Sequence, residues 1–381
     1  MRVVVVLLNG LSKFPPVVNL ASSLLRLGHE VTLVAYDLEQ ADSIFRQNPK
    51  YEPFDLGRQK SRAKRIRQDF ESSRKINRFL AERKAEIDCV WTATDATARD
   101  LGKPLLEYNH VMQMMELVEH VSIMTPRELP IHSNMVKVLA RHAKHVVVPE
   151  YNRACIQQVW WQLPMKPIVL PNKPQWDNLS LREEDYPDVL SVFNNESRKI
   201  LLYQGIFYSD RNFDPYIKAT EMLGDEYVLF LMGKAWSKGE KAELERLKKN
   251  YKGFKYAGFV NPPGHLAFTR YGHIGLLPYQ APAKKARYLK SSYLASINAL
   301  YCAPNKIWEY AREGMPMLGS DVPGLRVPFE QFDMGMVSGA NPEDIAEKIS
   351  LIDARHDEMG GNARRFYESV DIDRIIASIL E

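Results

Sequence analysis

The stretch RVVVVLLNGLSKFPPVVNLASSLLRLGHEVTLVAY, residues 2–36, decides the fold class. Its opening run is apolar without alternation, the pattern of a strand covered on both faces. The loop GLSKFPP leads into an amphipathic segment from about Val17 to Leu27, and Gly28 supplies a helix stop. HEVTLVAY is a second buried strand. Strand, loop, helix, glycine turn and strand make a βαβ unit, which pairs its strands in parallel. The spacing predicts an α/β protein with a Rossmann-like start.

The alternation continues outward from this unit. Further strands are expected at IDCVWTA (87–93), KPLLEYN (103–109) and HVVVPE (145–150), with helices between them. At KPIVLPNKP (166–174) two prolines flank an Asn-Lys pair, which reads as an interdomain linker. The pattern then restarts. KILLYQG (199–205) is a strand, FDPYIKATEML a helix, YVLFLMG (227–233) a strand and KGEKAELERLKKNY a charged surface helix. FKYAGFV, HIGLLPY and MPMLGS are short strands, and PEDIAEKISLI opens a helix. At 381 residues the chain is long for one core. Two Rossmann-like domains are expected, 1–170 and 175–362, with a C-terminal helix at 363–381 packing back on the first. Two such domains facing across a cleft would bind ligands at the carboxyl ends of their strands.

Composition narrows the class. Apolar residues make up 45% and charged residues 26%, ordinary values for a soluble globular protein. The three cysteines, Cys89, Cys155 and Cys302, are scattered without a CxxC, which suits a reducing cytosol and argues against a zinc site. The apolar run from Val3 to Leu8 is short for a signal peptide, and no stretch approaches a membrane span. A net charge of +4 gives no argument for nucleic acid. Its distribution does stand out. Residues 57–84 hold 11 Lys and Arg against 3 Asp and Glu, and a second basic cluster, AKKARYLKSSY, spans 283–293. Each is either a solvated face or an attraction to anionic lipid headgroups, worth about 1 kcal/mol per basic residue.

The chemistry concentrates in CAPNKIWEYAREGMPMLGSD, residues 302–321. Pro304 and Asn305 suit a helix start, and Gly314 followed by Pro316 a helix end. A helix N-terminus is an anion site, and Lys306 adds a full cation to it. Glu309 lies one turn further on the same face, placed to accept hydrogen bonds from hydroxyls attached to that anion. Phosphate above and ribose below describes a nucleotide. Gly205, after the strand ILLYQ, lets backbone approach a ligand, and Arg211 offers a fork of donors suited to a diphosphate. No GxGxxG follows any strand, which excludes a typical dehydrogenase.

With these residues the chain resembles the GT-B-fold glycosyltransferases, in particular the large family-4 class of retaining enzymes. PNKIWEYAREGMPMLGSDVPGL is similar to that family's donor-site block, and LLYQGIFYSDRN to its diphosphate turn. The resemblance implies that Glu309 binds the donor ribose and that Gly205, Asn305, Lys306 and Arg211 attend the phosphates. It implies that the YAGFV segment, with Phe259 and Val260, reads the base, and that Tyr279 of GLLPY lies near the donor. A histidine facing the acceptor would be His110, beside an acceptor loop containing Gly10 and Lys13. Where the family often has a second glutamate, eight positions before Glu309, this chain has Tyr301. The resemblance implies a metal-independent hexosyl transfer from a nucleotide-diphosphate sugar, UDP-linked, to a glycan or lipid-linked acceptor in polysaccharide biosynthesis. The protein would then be cytoplasmic and peripheral on the inner face of the plasma membrane, through 58–84. Two alternatives stay open: a GT-B-fold nucleotide-sugar epimerase, and a non-catalytic nucleotide-sugar-binding partner of a polysaccharide assembly complex.

Overall fold

A computed structural model describes the chain outside residues 118–129, 175–180, 208–210, 236 and 280–296. The basic cluster 283–293 therefore lies outside the described residues. The chain divides into two compact units, Met1–Gln175 with Asp371–Glu381, and Trp176–Val370.

The first unit is a seven-stranded parallel sheet in the order β3-β2-β1-β4-β5-β6-β7. Its strands are β1 (Arg2–Gly10), β2 (Glu30–Tyr36), β3 (Tyr51–Asp55), β4 (Cys89–Ala93), β5 (His110–Gln113), β6 (His145–Val148) and β7 (Ile168–Val169). Val3 to Leu7 are each at most 1% exposed, so the unbroken valine run marks a central strand with both faces covered. The order reverses between β1 and β4, which makes the carboxyl ends of those strands a switch point.

Three expectations need correction here. KPLLEYN is not a strand: Lys103–Glu107 is a 3-10 turn entered from Gly102, whose φ of 71° and the proline behind it break extension. β5 follows instead, beginning at His110. The segment 166–174 is not a free linker, because Ile168 and Val169 pair with Val147 and Val148 at the sheet edge. The passage between units falls after Gln175, and the return falls at Asp371 rather than 363.

The basic segment forms a 21-residue helix, α1 (Arg62–Glu82). Its inward face is polar in its first half, where Ser72 Oγ receives a 2.8 Å hydrogen bond from the buried Tyr36 hydroxyl, and apolar at Ile76 and Leu80. Lys64, Arg67, Phe70, Arg74, Lys75 and Arg78 face outward. The Arg74 guanidinium lies 4.3 Å from the centre of the Phe70 ring, which is 57% exposed.

The second unit is a six-stranded parallel sheet, β10-β9-β8-β11-β12-β13. Its strands are β8 (Lys199–Gln204), β9 (Tyr227–Met232), β10 (Phe254–Gly258), β11 (Ile274–Leu277), β12 (Met317–Ser320) and β13 (Gly335–Ser338). Ile200, Leu202, Val228 and Phe230 enter one core layer, and Leu201, Tyr203, Leu229 and Leu231 the other. Alternate residues thus fill opposite faces of one sheet, and both faces are packed. This is why the strands read as continuous apolar runs.

The last helix, α2 (Ile372–Leu380), belongs to the first unit. Ile372, Ile376, Ile379 and Leu380 are buried, and Asp373 receives two hydrogen bonds from Arg26 at 2.9 and 3.0 Å. The Lys144 ammonium donates to the Leu380 carbonyl at 3.1 Å. The stretch 356–368, expected in part to join this helix, is a separate one in the second unit.

Candidate functional site

In the second unit, the carboxyl ends of β8, β9 and β10 end on glycines that allow three loops to close together. Gly233 donates to the Gly258 carbonyl at 2.8 Å, and a Cβ on Gly233 would fall 1.7 Å from the Gly205 carbonyl oxygen. Gly205 itself has φ of 140°, a conformation costly for a side-chain-bearing residue. A Cβ there would lie 2.7 Å from both Cε and Nζ of Lys306, so the lysine lies directly over the bare backbone.

Lys306 and Glu309 come from helix α3 (Asn305–Arg312). Pro304, with φ −72° and ψ 139°, occupies the N-cap position, so Asn305 is the first helical residue and not the cap. Among the described residues, no side chain caps this N-terminus. The partial positive charge of its first turn is therefore available beside Lys306, on the turn that also carries Asn305. Arg211 approaches from the loop after β8. Its Nη1 donates to the Pro278 carbonyl at 3.1 Å, and its guanidinium stacks on Tyr279 at 4.0 Å from the ring centre. Burial works against the Lys306 charge, but the oxygens of Tyr203, Tyr279 and Glu309 around it raise its affinity for a proton above the ordinary value. Lys306 and Arg211 are close enough to repel one another. Two cations and a helix N-terminus at one edge form a site for a multiply charged anion.

Glu309 is only 8% exposed. Burial pushes its carboxyl upward, but His265 and Lys306 outweigh that and hold it below the ordinary carboxylate value. It is an anion at neutral pH. His265 Nε2 lies 3.5 Å from Glu309 Oε1.

A buried hydrogen-bond network joins these elements. The Tyr310 hydroxyl accepts from the Gln204 amide at 3.0 Å and donates to the Leu202 carbonyl at 3.1 Å. Its ring fits against β11 because residue 275 is glycine, where a Cβ would fall 2.3 Å from the ring. The Gln204 side chain donates to the His265 carbonyl at 2.9 Å and accepts from the Thr269 hydroxyl at 2.9 Å. One glutamine therefore ties the turn before Gly205 to the 3-10 segment Gly264–Tyr271, and one tyrosine ties it to the helix of Glu309.

The remaining residues expected near a donor are less uniform. Phe259 is 39% exposed, with the Lys234 ammonium 5.1 Å from its ring centre, whereas Val260 is buried in the core. Tyr301 is half-buried just before the helix, its amide bonded to the Ile297 carbonyl at 3.0 Å.

In the first unit, Gly10 ends β1 and Lys13 is exposed in the following turn. Lys13 Nζ donates to Gln59 Oε1 at 2.9 Å, and a Cβ on Gly10 would lie 2.9 Å from Asp37 Oδ2. Both residues stand at the carboxyl edge beside the switch point. His110 does not. It begins β5, at the amino edge, and is 3% exposed with Nε2 2.8 Å from the Thr92 hydroxyl. Burial lowers its pKa to about 4. The expectation that it faces an acceptor is corrected to a neutral histidine packed within the sheet, since its strand starts later than the sequence suggested.

Sequence reasoning missed His265, Gln204 and Tyr310. Tyr310 follows Glu309 directly, and its only local signal was an aromatic on a helix, which reads as core. His265 sits in a proline-rich turn with no pattern around it.

The fold is GT-B, two parallel-sheet Rossmann-like units. Solved structures share it along the whole chain. Anabaena HepE, crystallised with UDP, is 12% identical with a TM-score of 0.66, over 100% of this chain and 98% of that one. Sucrose-phosphate synthase from Thermosynechococcus elongatus is 15% identical with a TM-score of 0.67, over 99% and 97%. A UDP-N-acetylglucosamine 2-epimerase assigned in Listeria monocytogenes is 12% identical with a TM-score of 0.60, over 100% and 94%. No family model matches the chain, and no curated protein matches it in sequence.

Proposed function

We propose that the protein is a glycosyltransferase that moves a sugar from a nucleoside diphosphate sugar, UDP-linked, to a glycan or lipid-linked acceptor. One observation carries this reading: Lys306 lies over Gly205 at the head of its helix, within electrostatic reach of Arg211, with ionised Glu309 one turn below. The cations and amides hold the diphosphate, and Glu309 accepts from the ribose hydroxyls. Phe259 and the backbone at Val260 take the base. Asn305 stands with the phosphates on the first turn of its helix, and Tyr279 and Tyr301 border the sugar. That the similarly folded HepE was crystallised with UDP supports the choice of nucleotide.

In the reaction the acceptor oxygen forms a bond to the anomeric carbon as the bond from that carbon to phosphate breaks. The diphosphate leaves with the electron pair, and its oxygen takes the acceptor proton from the same face, which retains configuration. Arg211, Lys306 and the helix dipole stabilise the charge that develops on the leaving group, the role otherwise taken by a divalent metal. Gly10 and Lys13, at the switch point of the first unit, are the acceptor-side residues. The outward face of α1 would bring the enzyme to an anionic membrane where a lipid-linked acceptor resides. A nucleotide-sugar epimerase is the second reading, supported by the fold shared with the Listeria protein.

A thermal-shift screen of UDP, GDP and ADP tests the reading first, since a bound ligand raises the melting temperature. UDP is expected to stabilise the protein and Glu309→Gln to bind it at least tenfold more weakly. Donor hydrolysis then separates transferase from epimerase. Equal affinity of the variant and the wild type for UDP would refute the reading.

A further inference from the structure

We infer that His265 is a positioning residue for nucleotide recognition, which holds the Glu309 carboxylate in the orientation that grips ribose. This rests on the proposed role of Glu309 and extends it to a residue outside the helix.

The geometry is specific. His265 Nε2 stands 3.5 Å from Glu309 Oε1, and both side chains are largely covered, at 14% and 10% exposure. A carboxylate is acceptor-only, so the imidazole nitrogen facing it bears the proton. With one carboxylate oxygen engaged, the other is left to receive ligand hydroxyls. Lys306 also acts on this carboxylate, but it lies over Gly205 toward the phosphate side. A buried glutamate on a flexible side chain has several rotamers, and His265 selects among them.

His265 is itself held in place. Its carbonyl accepts from Gln204 Nε2, and Thr269, one turn further along the same 3-10 segment, donates to Gln204 Oε1, both at 2.9 Å. Gln204 is 1% exposed and directly precedes Gly205. The glutamine therefore sets the distance between the phosphate turn and the histidine that aims the ribose-binding acid. His265 Nδ1 is buried and has no hydrogen-bond partner among the described residues. An uncompensated buried nitrogen is costly. The position thus bears a penalty that a residue chosen for packing alone would avoid.

The test compares binding of UDP and 2′-deoxy-UDP by calorimetry in wild type, His265→Ala, His265→Gln, Glu309→Gln and the His265→Ala/Glu309→Gln double variant. Wild type is expected to favour UDP about tenfold, the scale of one charged hydrogen bond. His265→Ala should bind UDP roughly tenfold more weakly, with most of the preference over the deoxy nucleotide lost. His265→Gln, which keeps an N–H donor, should restore both. The double variant should bind no more than about twofold more weakly than Glu309→Gln alone, because the histidine acts through the glutamate. The inference is overturned if His265→Ala keeps the ribose preference, or weakens both nucleotides equally. It also falls if its effect adds in full to that of Glu309→Gln. If Glu309→Gln itself binds UDP as the wild type does, the function reading fails with it, and that result is distinct from the others.

Discussion

Removing a single oxygen, by Tyr310→Phe, tests whether the network beneath the site matters energetically. Tyr310 is fully buried, and its ring would stay where it is, against Gly275. What is lost is a bridge from the Gln204 amide to the Leu202 carbonyl, at 3.0 and 3.1 Å. β11 pairs with β8 at Leu201 and Leu202, and the hydroxyl serves the backbone just beyond that pairing. A carbonyl has two lone pairs and tolerates losing one partner. An amide has one proton, and burying it unpaired costs about 1–3 kcal/mol. Since the substitution also relieves the hydroxyl's own desolvation, a net loss of about 2 kcal/mol is expected. For a unit of about 195 residues that corresponds to a melting temperature lowered by roughly 4–8 °C. Scanning calorimetry would read the transition. UDP affinity should fall about threefold or more, because Gln204 anchors both Gly205 and His265. A shift below about 1 °C would show that the hydroxyl is not a structural bridge, and the argument for the network would fail.

Further outcomes follow from the same geometry. His110 is held neutral, with its pKa lowered from 6.5 to about 4, so the unfolded chain takes up a proton that the folded chain refuses. Its contribution is complete above the unfolded value and is lost as pH falls from about 6.5 toward 4, at about 1.4 kcal/mol per unit. Urea unfolding across that range should show the slope, and His110→Gln should flatten it. An unchanged slope would place the proton elsewhere. Gly205→Ala forces a side chain into φ of 140° and a methyl against Lys306. It should weaken UDP binding about tenfold by displacing the lysine, at a stability cost near 1–2 kcal/mol. Binding within twofold of wild type would remove Lys306 from the phosphate role. Charge reversal at Lys64, Arg67, Arg74 and Arg78 together should abolish co-sedimentation with vesicles rich in phosphatidylserine, since each basic residue contributes about 1 kcal/mol. Unchanged sedimentation would remove the membrane from the proposal.

The sequence shows the sheet centres more clearly than their edges. Val3–Val6 and Val228–Leu231 are apolar on both faces because the strands are covered on both sides. β3 has no such signature. Tyr51–Asp55 is an edge strand, half-exposed, with a proline inside it. β7 is two residues long and takes its pairing from β6, not from any pattern of its own. Glu309, Lys306 and Gly205 were legible because helix starts and strand-end glycines have local rules. The set of Gln204, His265, Thr269 and Tyr310 was not. Their contacts span 61 to 106 positions, and no local period encodes such a meeting. His110 misled for a related reason, since a shift in where β5 begins carries a residue from one edge of a sheet to the other.

The return of α2 to the first unit has an architectural consequence. The chain leaves that unit once and re-enters it once, so the second unit is, in connectivity, a cassette inserted into its neighbour. Trp176–Val370 is continuous and can be excised as one piece. Met1–Gln175 cannot, because cutting there discards the isoleucines that seal one of its faces and the aspartate that clasps Arg26. A stand-alone version of the first unit needs residue 175 spliced to residue 371.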